Sequence, residues 1–286
     1  MNLDKEWRDK LILHHWRADE VRRDQVMAVM LYGSQNYGLA TEKSDVDTKA
    51  MIVPPIREVL LGKPKFSHDC YHADGLTCIK DFRGMFDSYL KGNVNFLETL
   101  YTDYYLVSPM YEPFFDDLRA HRDLIANAHP TAVIRCAAGF AHQKFDHIQK
   151  VNDHNGVAIS NWGYDPKALM TMRRLAYFIY TFKATMNFQA ALESSMKIKD
   201  ELLGYISDPL PKPEALARAH DIDAAIVTMK ERAEMQLPAN NHADEAREYL
   251  DELVVRILCE DIRTDLINND AIRREYLTFL KKIFVL

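Results

Sequence analysis

Cysteine is scarce and scattered in this chain: 286 residues hold four, Cys70, Cys78, Cys136 and Cys259, with no CxxC pair among them. Disulfide frameworks and zinc ribbons need paired spacings, so both are disfavoured, and a reducing cytoplasm is the expected compartment. Long apolar runs are missing too. None approaches the roughly 20 residues that span a bilayer. The opening MNLDKEWRDK mixes acids with bases and has no apolar stretch, which argues against a signal peptide and against a membrane partner. No Walker A or GxGxxG element occurs, and no internal repeat or low-complexity tract. Basic charge does not dominate either: a net charge of −6 argues against a surface that coats nucleic acid throughout, while leaving room for a local basic site.

What remains is an ordinary globular composition, 48% hydrophobic and 27% charged, with length for one large domain or two ordinary ones. The charged segment from Lys5 to about Arg23 reads as a helix with Trp7, Leu11 and Trp16 loosely on one side. Val26 to Tyr32 is an unbroken apolar run of strand length, which predicts a strand covered on both faces. Gly33-Ser34 ends it, a short turn or helix spans Gln35 to Ala40, and Asp45 to Val53 alternates until Pro54-Pro55 stops it. A short helix at Ile56 to Leu61 and a third strand at Phe66 to Tyr71 follow. Asp74-Gly75 is a hairpin turn signal leading into a strand at Leu76 to Ile79. The period then changes: Ile79, Phe82, Met85, Phe86, Tyr89 and Leu90 form a helical stripe. Beyond about Pro109 strand signals nearly vanish. Helices are expected at His129–Val151, Pro166–Met186, Ala190–Ile206, Pro213–Met235, His242–Ile267 and Ala271–Phe284. The expected fold class is α+β: a core of residues 1–108 built on a small mixed sheet, then an all-helical part, 109–286.

One feature of the first part conflicts with simple burial. Residues i and i+2 of a strand share a face, so Asp45 and Asp47 present two carboxylates side by side at the start of a strand about to be buried. Like charges there repel and cost several kcal/mol once desolvated, unless something positive sits between them. A divalent cation, or two about 3.5–4 Å apart, is the natural neutraliser. Upstream, the Gly33-Ser34 turn after a buried strand lets backbone N–H groups and a hydroxyl approach an anion closely. Taken alone, a DxD triplet is ordinarily a solvated strand edge and a Gly-Ser pair a simple link. The order of parts is what points to chemistry: apolar strand, Gly-Ser, ten intervening residues, SDxD, apolar strand. A phosphate-holding turn beside a carboxylate metal site is a layout for metal-assisted phosphoryl or nucleotidyl transfer.

The stretch Tyr32-Gly33-Ser34, Tyr37-Gly38-Leu39-Ala40-Thr41 and Ser44-Asp45-Val46-Asp47 resembles the DNA polymerase β-type nucleotidyltransferase superfamily, and within it an RNA-repair-pathway branch. Two further blocks are similar to that branch. One is Lys91-Gly92-Asn93-Val94-Asn95-Phe96-Leu97-Glu98-Thr99-Leu100, with Val94 where proline is usual. The other is Tyr164-Asp165-Pro166-Lys167 followed by Arg174-Leu175, with Thr171 where the branch has histidine. The resemblance covers residues 26–175 in blocks. It implies a polymerase β-type core and an enzyme that moves an NMP from an NTP such as ATP to an acceptor hydroxyl, an RNA 3′ end by preference, releasing pyrophosphate. It implies that Gly33 and Ser34 hold the triphosphate and that Asp45 and Asp47 bind Mg2+, with Mn2+ as a substitute. The superfamily adds a third carboxylate on a neighbouring strand; Asp74 is the first choice for this catalytic and metal role, with Asp69 and Asp81 as rivals. An Asp-Gly pair such as Asp74-Gly75 also suits a tight turn with no chemistry at all.

Further candidates stand beside these. Lys167, Thr171 and Arg174 share one face of a helix, where two cations can clamp phosphates, Arg in bidentate fashion. Lys49 shares the aspartates' face and either touches phosphate or simply pairs with them. Glu98 sits in an apolar stretch and needs a backbone or basic partner. His68, Cys70 and His72 fall on one strand face with no second half-site for zinc, and Tyr101, Tyr104, Tyr105, Phe114 and Phe115 suit the junction between the two parts better than base stacking. Two alternatives stay open: a non-catalytic nucleotide- or RNA-binding regulatory protein, and an enzyme that nucleotidylates a protein or a small molecule.

Overall fold

A computed structural model of the chain describes residues 5–21, 25–41, 44–152, 155–238 and 241–268, together with Arg274 and Thr278. The first part alternates helix and strand in the order α1 (Lys5–Val21), β1 (Val26–Tyr32), β2 (Asp47–Ile52), α2 (Ile56–Leu60), β3 (Ser67–His72), β4 (Gly75–Asp81), α3 (Phe82–Leu90), α4 (Val94–Leu97) and β5 (Tyr105–Val107). The strands form one mixed sheet of order β3-β4-β2-β1-β5. Only β2 and β4 run parallel; the other neighbours are antiparallel. The rest is helical: α5 (Glu112–Ala120), α6 (Arg122–Ala126), α7 (Pro130–His147), α8 (Gly156–Trp162), α9 (Pro166–Thr185), α10 (Phe188–Glu193), α11 (Lys199–Ser207), α12 (Lys212–Gln236) and α13 (Ala243–Asn268). The chain is thus a mixed α+β protein. Among the described residues no helix is long and apolar enough to cross a membrane.

Both faces of β1 are covered, as its unbroken apolar run requires: Val26 to Leu31 are all buried. One face packs on α1, where Leu11 and Ala18 meet Val26, Val29, Ala50, Ile52 and Ile79. The other carries Met27, Met30 and Met51 into a hydrophobic cluster that continues through α3, α7, α9 and α12 to Leu250, Leu253 and Ile257 of α13. The helical part therefore caps one face of the sheet, and this is the face on which Asp47 and Lys49 lie. Tyr101 stacks on Phe188 with ring centroids 5.1 Å apart, and Tyr105 packs on Phe115 at 5.2 Å, so two of the junction aromatics link the sheet to the helices.

Two expectations need correction, and one strand has no counterpart in the sequence pattern. The stretch from Ala190 to Ile206 is not one helix. Ser194 and Ser195 turn their hydroxyls back to the carbonyls of Ala191 and Leu192, at 2.7 and 3.1 Å, and this local competition breaks the helix into α10, a 3-10 turn and α11. The short strand β5 carries no alternating pattern; it exists because β1 offers it an edge, through the register Val29 to Leu106 and Met30 to Tyr105. Strand β2 begins at Asp47 instead of Asp45, which stays exposed in the approach to it. The helix expected at Ala271–Phe284 lies outside the described residues apart from Arg274 and Thr278.

Candidate functional site

The turn after β1 is closed by its own backbone. The Ser34 carbonyl accepts from the N–H groups of Tyr37 and Leu39 at 3.2 and 3.0 Å, and Gly33 adopts φ +88°, a conformation that side-chain-bearing residues rarely take. Asn36 ties the turn to the sheet, donating to the Leu31 carbonyl at 3.0 Å while its Oδ1 accepts from Thr102 at 2.7 Å. A Cβ on Gly33 would stand 3.9 Å from Asp47 Oδ2, so the turn and the aspartate face one another. The sequence pattern ten residues apart becomes a local pairing because β1 and β2 are antiparallel neighbours in the register Tyr32 to Asp47.

Asp47 is half-buried and accepts from the Leu76 N–H at 3.1 Å. Burial, followed by the neighbouring charge of Asp45, raises its pKa; the Leu76 N–H and the cations Lys167 and Lys49 pull the other way. Lys49 is 4% exposed, with Nζ 3.6 Å from the ring centroid of Tyr32 and 4.3 Å from that of Phe96. Burial brings its pKa down to about 8 despite nearby Cys78, Asp47 and Asp69. The ammonium thus neutralises the sheet face from inside an aromatic cage.

The two blocks further along the chain close the other side. Gly92 has φ +66°, and a Cβ there would meet the Val133 backbone nitrogen at 2.7 Å, so the chain passes tightly against the start of α7. Asn93 caps α4 through the Asn95 N–H, and the helix delivers Glu98 to the turn. Glu98 is 1% exposed and accepts from the Gly33 N–H at 2.9 Å, while its other oxygen is buried without a hydrogen-bond partner among the described residues. Burial pushes its pKa up to about 7, with Arg174 and the Gly33 N–H opposing. Asp165 caps α9, accepting from Lys167 and Ala168 N–H groups, and Tyr164 is buried with its hydroxyl on the Leu210 carbonyl. Along α9, Lys167 lies within electrostatic reach of Asp47, and the Arg174 guanidinium sits 3.9 Å from the ring centroid of Tyr37 in the turn. Thr171 only bonds back to the Lys167 carbonyl at 2.8 Å. Gly33, Ser34, Asp45, Asp47, Lys167 and Arg174 are thereby brought to one place, with Lys49 beneath them.

Asp74 is not brought there. Its carboxylate accepts from Arg17 at 2.8 Å and lies 3.6 Å from His14 Nε2, on the α1 side of the sheet. Burial raises its pKa, but the Arg17 bond and the charges of Arg17 and His14 outweigh that and hold it low. Asp81 is fully buried and caps α3, taking N–H groups from Gly84 and Phe66 and the Arg83 guanidinium. Asp69 is the rival that shares the face of Asp47: it pairs across β3 and β4 with Cys78, which pairs with Lys49. On β4 itself that face carries Leu76, Cys78 and Lys80. Among the described residues no three His, Cys, Asp or Glu side chains form a metal-holding cluster. Hard divalent cations favour carboxylate oxygens, and the carboxylates close together in sequence at this place are Asp45 and Asp47.

The network behind the aspartates leaves no local signal in the sequence. His14 is fully buried on α1, with Nδ1 2.8 Å from both Thr48 Oγ1 and Thr77 Oγ1. It joins the strand of Asp47 to β4, and the Asp74 carbonyl accepts the Val46 N–H at 2.7 Å. Desolvation takes His14 down to about 4, outweighing Asp74. Its folded value is thus depressed below the ordinary 6.5, so its contribution to stability is complete above about pH 6.5 and is lost as the pH falls toward 4. Urea unfolding across that window is expected to show His14→Gln less steeply acid-sensitive than the wild type, the difference amounting to about 2–3 kcal/mol. Parallel curves would remove His14 from the acid response.

No family model matches the sequence, and no curated protein matches it. Among solved structures, a nucleotidyltransferase-like protein from Exiguobacterium sibiricum 255-15 is similar at a TM-score of 0.29 and 7% identity, covering 80% of this chain and 75% of that one.

Proposed function

We propose that the chain is a nucleotidyltransferase whose cleft lies between the Gly33-Ser34 turn, the Asp45/Asp47 pair and α9. The observation that carries this reading is the convergence on Asp47: a positive-φ glycine on which a Cβ would stand 3.9 Å from its Oδ2, a second carboxylate beside it, and Lys167 within electrostatic reach from a helix more than a hundred residues away. The resemblance of the same residues to the polymerase β-type superfamily supports it. In this reading, N–H groups and the Ser34 hydroxyl hold the triphosphate, Lys167 and Arg174 balance its charge, and an acceptor hydroxyl attacks the α-phosphorus with pyrophosphate leaving. Asp45 and Asp47 would hold Mg2+ or Mn2+, which supplies charge neutralisation at the phosphates. Lys49 keeps the face beneath the carboxylates near neutral. An RNA 3′ end is the acceptor we favour.

Arg174 tests the contribution of the helical part. Arg174→Ala is expected to lower kcat/KM for NTP by roughly 10- to 100-fold, the cost of one charge-assisted contact of about 1.5–3 kcal/mol. Arg174→Lys should recover only part of it, because the planar fork is lost. Steady-state kinetics at saturating acceptor checks this, and unchanged parameters would take α9 out of the site.

One observation favours a second reading. The face of β4 beside Asp47 carries Leu76, Cys78 and Lys80, Asp74 is engaged by Arg17, and Asp69, on the same face, stands one strand further out on β3, so among the described residues no third carboxylate joins the pair in a metal-holding cluster. A module that binds a nucleotide and transfers nothing has no need of one. Tight, metal-dependent NTP binding without transfer to any acceptor would establish that reading instead.

A further inference from the structure

Glu98 has an unusual position for a carboxylate. It is 1% exposed, its Oε1 accepts the N–H of Gly33 in the turn at 2.9 Å, and its Oε2 is buried with no hydrogen-bond partner among the described residues. Two groups favour its ionised form, the Gly33 N–H and the guanidinium of Arg174. Both belong to the set that a phosphate in this cleft would recruit. An incoming phosphate therefore competes for the N–H, draws Arg174 toward its own charge and adds a negative charge beside a buried carboxylate. Each of these disfavours the ionised carboxylate. Among the described residues the ionisable groups that face Glu98 are Arg174 from α9 and Tyr32 from β1, whose phenol is pushed up by burial and by several surrounding groups, Glu98 among them. Tyr32 stays neutral and contributes no compensating charge.

We propose that Glu98 is a positioning residue of the Gly33-Ser34 turn and that nucleotide binding carries a proton onto it. The proton comes from solvent and adds to Oε2, turning a buried acceptor without a partner into an O–H donor; Oε1 remains the acceptor for Gly33 when no phosphate is present. This rests on the reading of the cleft as a nucleotide site. The carboxylate already sits at about 7 in the nucleotide-free chain, so the coupling falls in the neutral range. Phosphate raises it further, so binding takes up a proton above that value and affinity declines as pH rises, by up to about tenfold per pH unit.

The test uses the full chain in two arms. In the first, the Gly33 amide 15N resonance is followed against pH without nucleotide; a step near pH 7 is expected in the wild type and none in Glu98→Gln. In the second, MgATP is titrated calorimetrically above about pH 7.5, where ATP itself is fully ionised, in two buffers of different protonation enthalpy. Lys49 titrates near 8, in the same window, so the uptake that counts is the part lost in Glu98→Gln; it should approach one proton. If Glu98→Gln does not fold by circular dichroism, the wild-type Gly33 step decides, because MgATP should move it to higher pH. Binding with no uptake assignable to Glu98, or a Gly33 amide without a step, overturns the coupling and leaves the nucleotide site standing. Failure of the wild type to bind MgATP, MgGTP, MgCTP or MgUTP overturns the site reading and the coupling with it.

Discussion

Asp47→Asn is expected to reduce nucleotide transfer by about a thousandfold or more while leaving the fold intact. The magnitude follows from the several kcal/mol that a neutralising cation contributes to a phosphoryl-transfer transition state, at about 1.36 kcal/mol per factor of ten. The fold should survive because the surroundings disfavour a charge on Asp47: burial and Asp45 both raise its pKa. A carboxylate with a raised folded value weakens the native state once ionised, so at neutral pH the amide should leave stability unchanged or slightly higher in metal-free buffer. Asn also keeps an oxygen for the Leu76 N–H, now accepted at 3.1 Å. Circular dichroism and a melting curve beside the labelling assay separate the two effects. An inactive variant that is merely unfolded, or one with full activity, would count against the role given to the pair.

Gly33→Val should be nearly as severe, for another reason. At φ +88° a β-branched residue is strained, at about 1–3 kcal/mol of folding stability. Its Cβ alone would stand 3.9 Å from Asp47 Oδ2, and the branched methyls would extend into the space that the proposed site reserves for phosphate. Nucleotide binding is expected to leave the measurable range. Ser34→Ala, by contrast, removes one hydroxyl contact to a charged group and should weaken binding by about 1–2 kcal/mol. Calorimetric titration of MgATP into both variants checks the contrast; equal and negligible effects would reduce the turn to a link between two strands.

Much of this architecture is legible in the residues, and all but one of the exceptions share a cause. Strand β1 and helices α3, α9 and α12 follow from local apolar period and from the residues at their ends. The same holds for the Gly33-Ser34 turn, whose neighbour Asp47 is reached through a hairpin-like pairing of adjacent strands. What escapes local pattern is decided by distant partners. Strand β5 is three residues long and exists because β1 offers it an edge. The Asp74 side chain turns to α1 because Arg17 and His14 wait there, from nearly sixty residues upstream. Glu98 shows the middle case: its sequence context demands a partner without saying which, and the fold supplies a backbone N–H and a cation together. The break within Ala190–Ile206 is local after all, since Ser194 and Ser195 are poor interior helix residues whose back-bonding was open to inspection.

Parallel incubations with α-labelled and γ-labelled ATP separate nucleotidyl transfer by this cleft from nucleotide binding alone. Each would contain Mg2+ or Mn2+, the full chain, and total RNA as acceptor, with the other three NTPs run alongside in α-labelled form. Label from the α-phosphorus is expected on an RNA 3′ end, with none from the γ-phosphorus, release of pyrophosphate, and loss of all of it in Asp47→Asn. Nucleotide bound in a metal-dependent way, with no α-label passed to RNA, to protein or to a small alcohol under any of the four NTPs, would contradict nucleotidyl transfer.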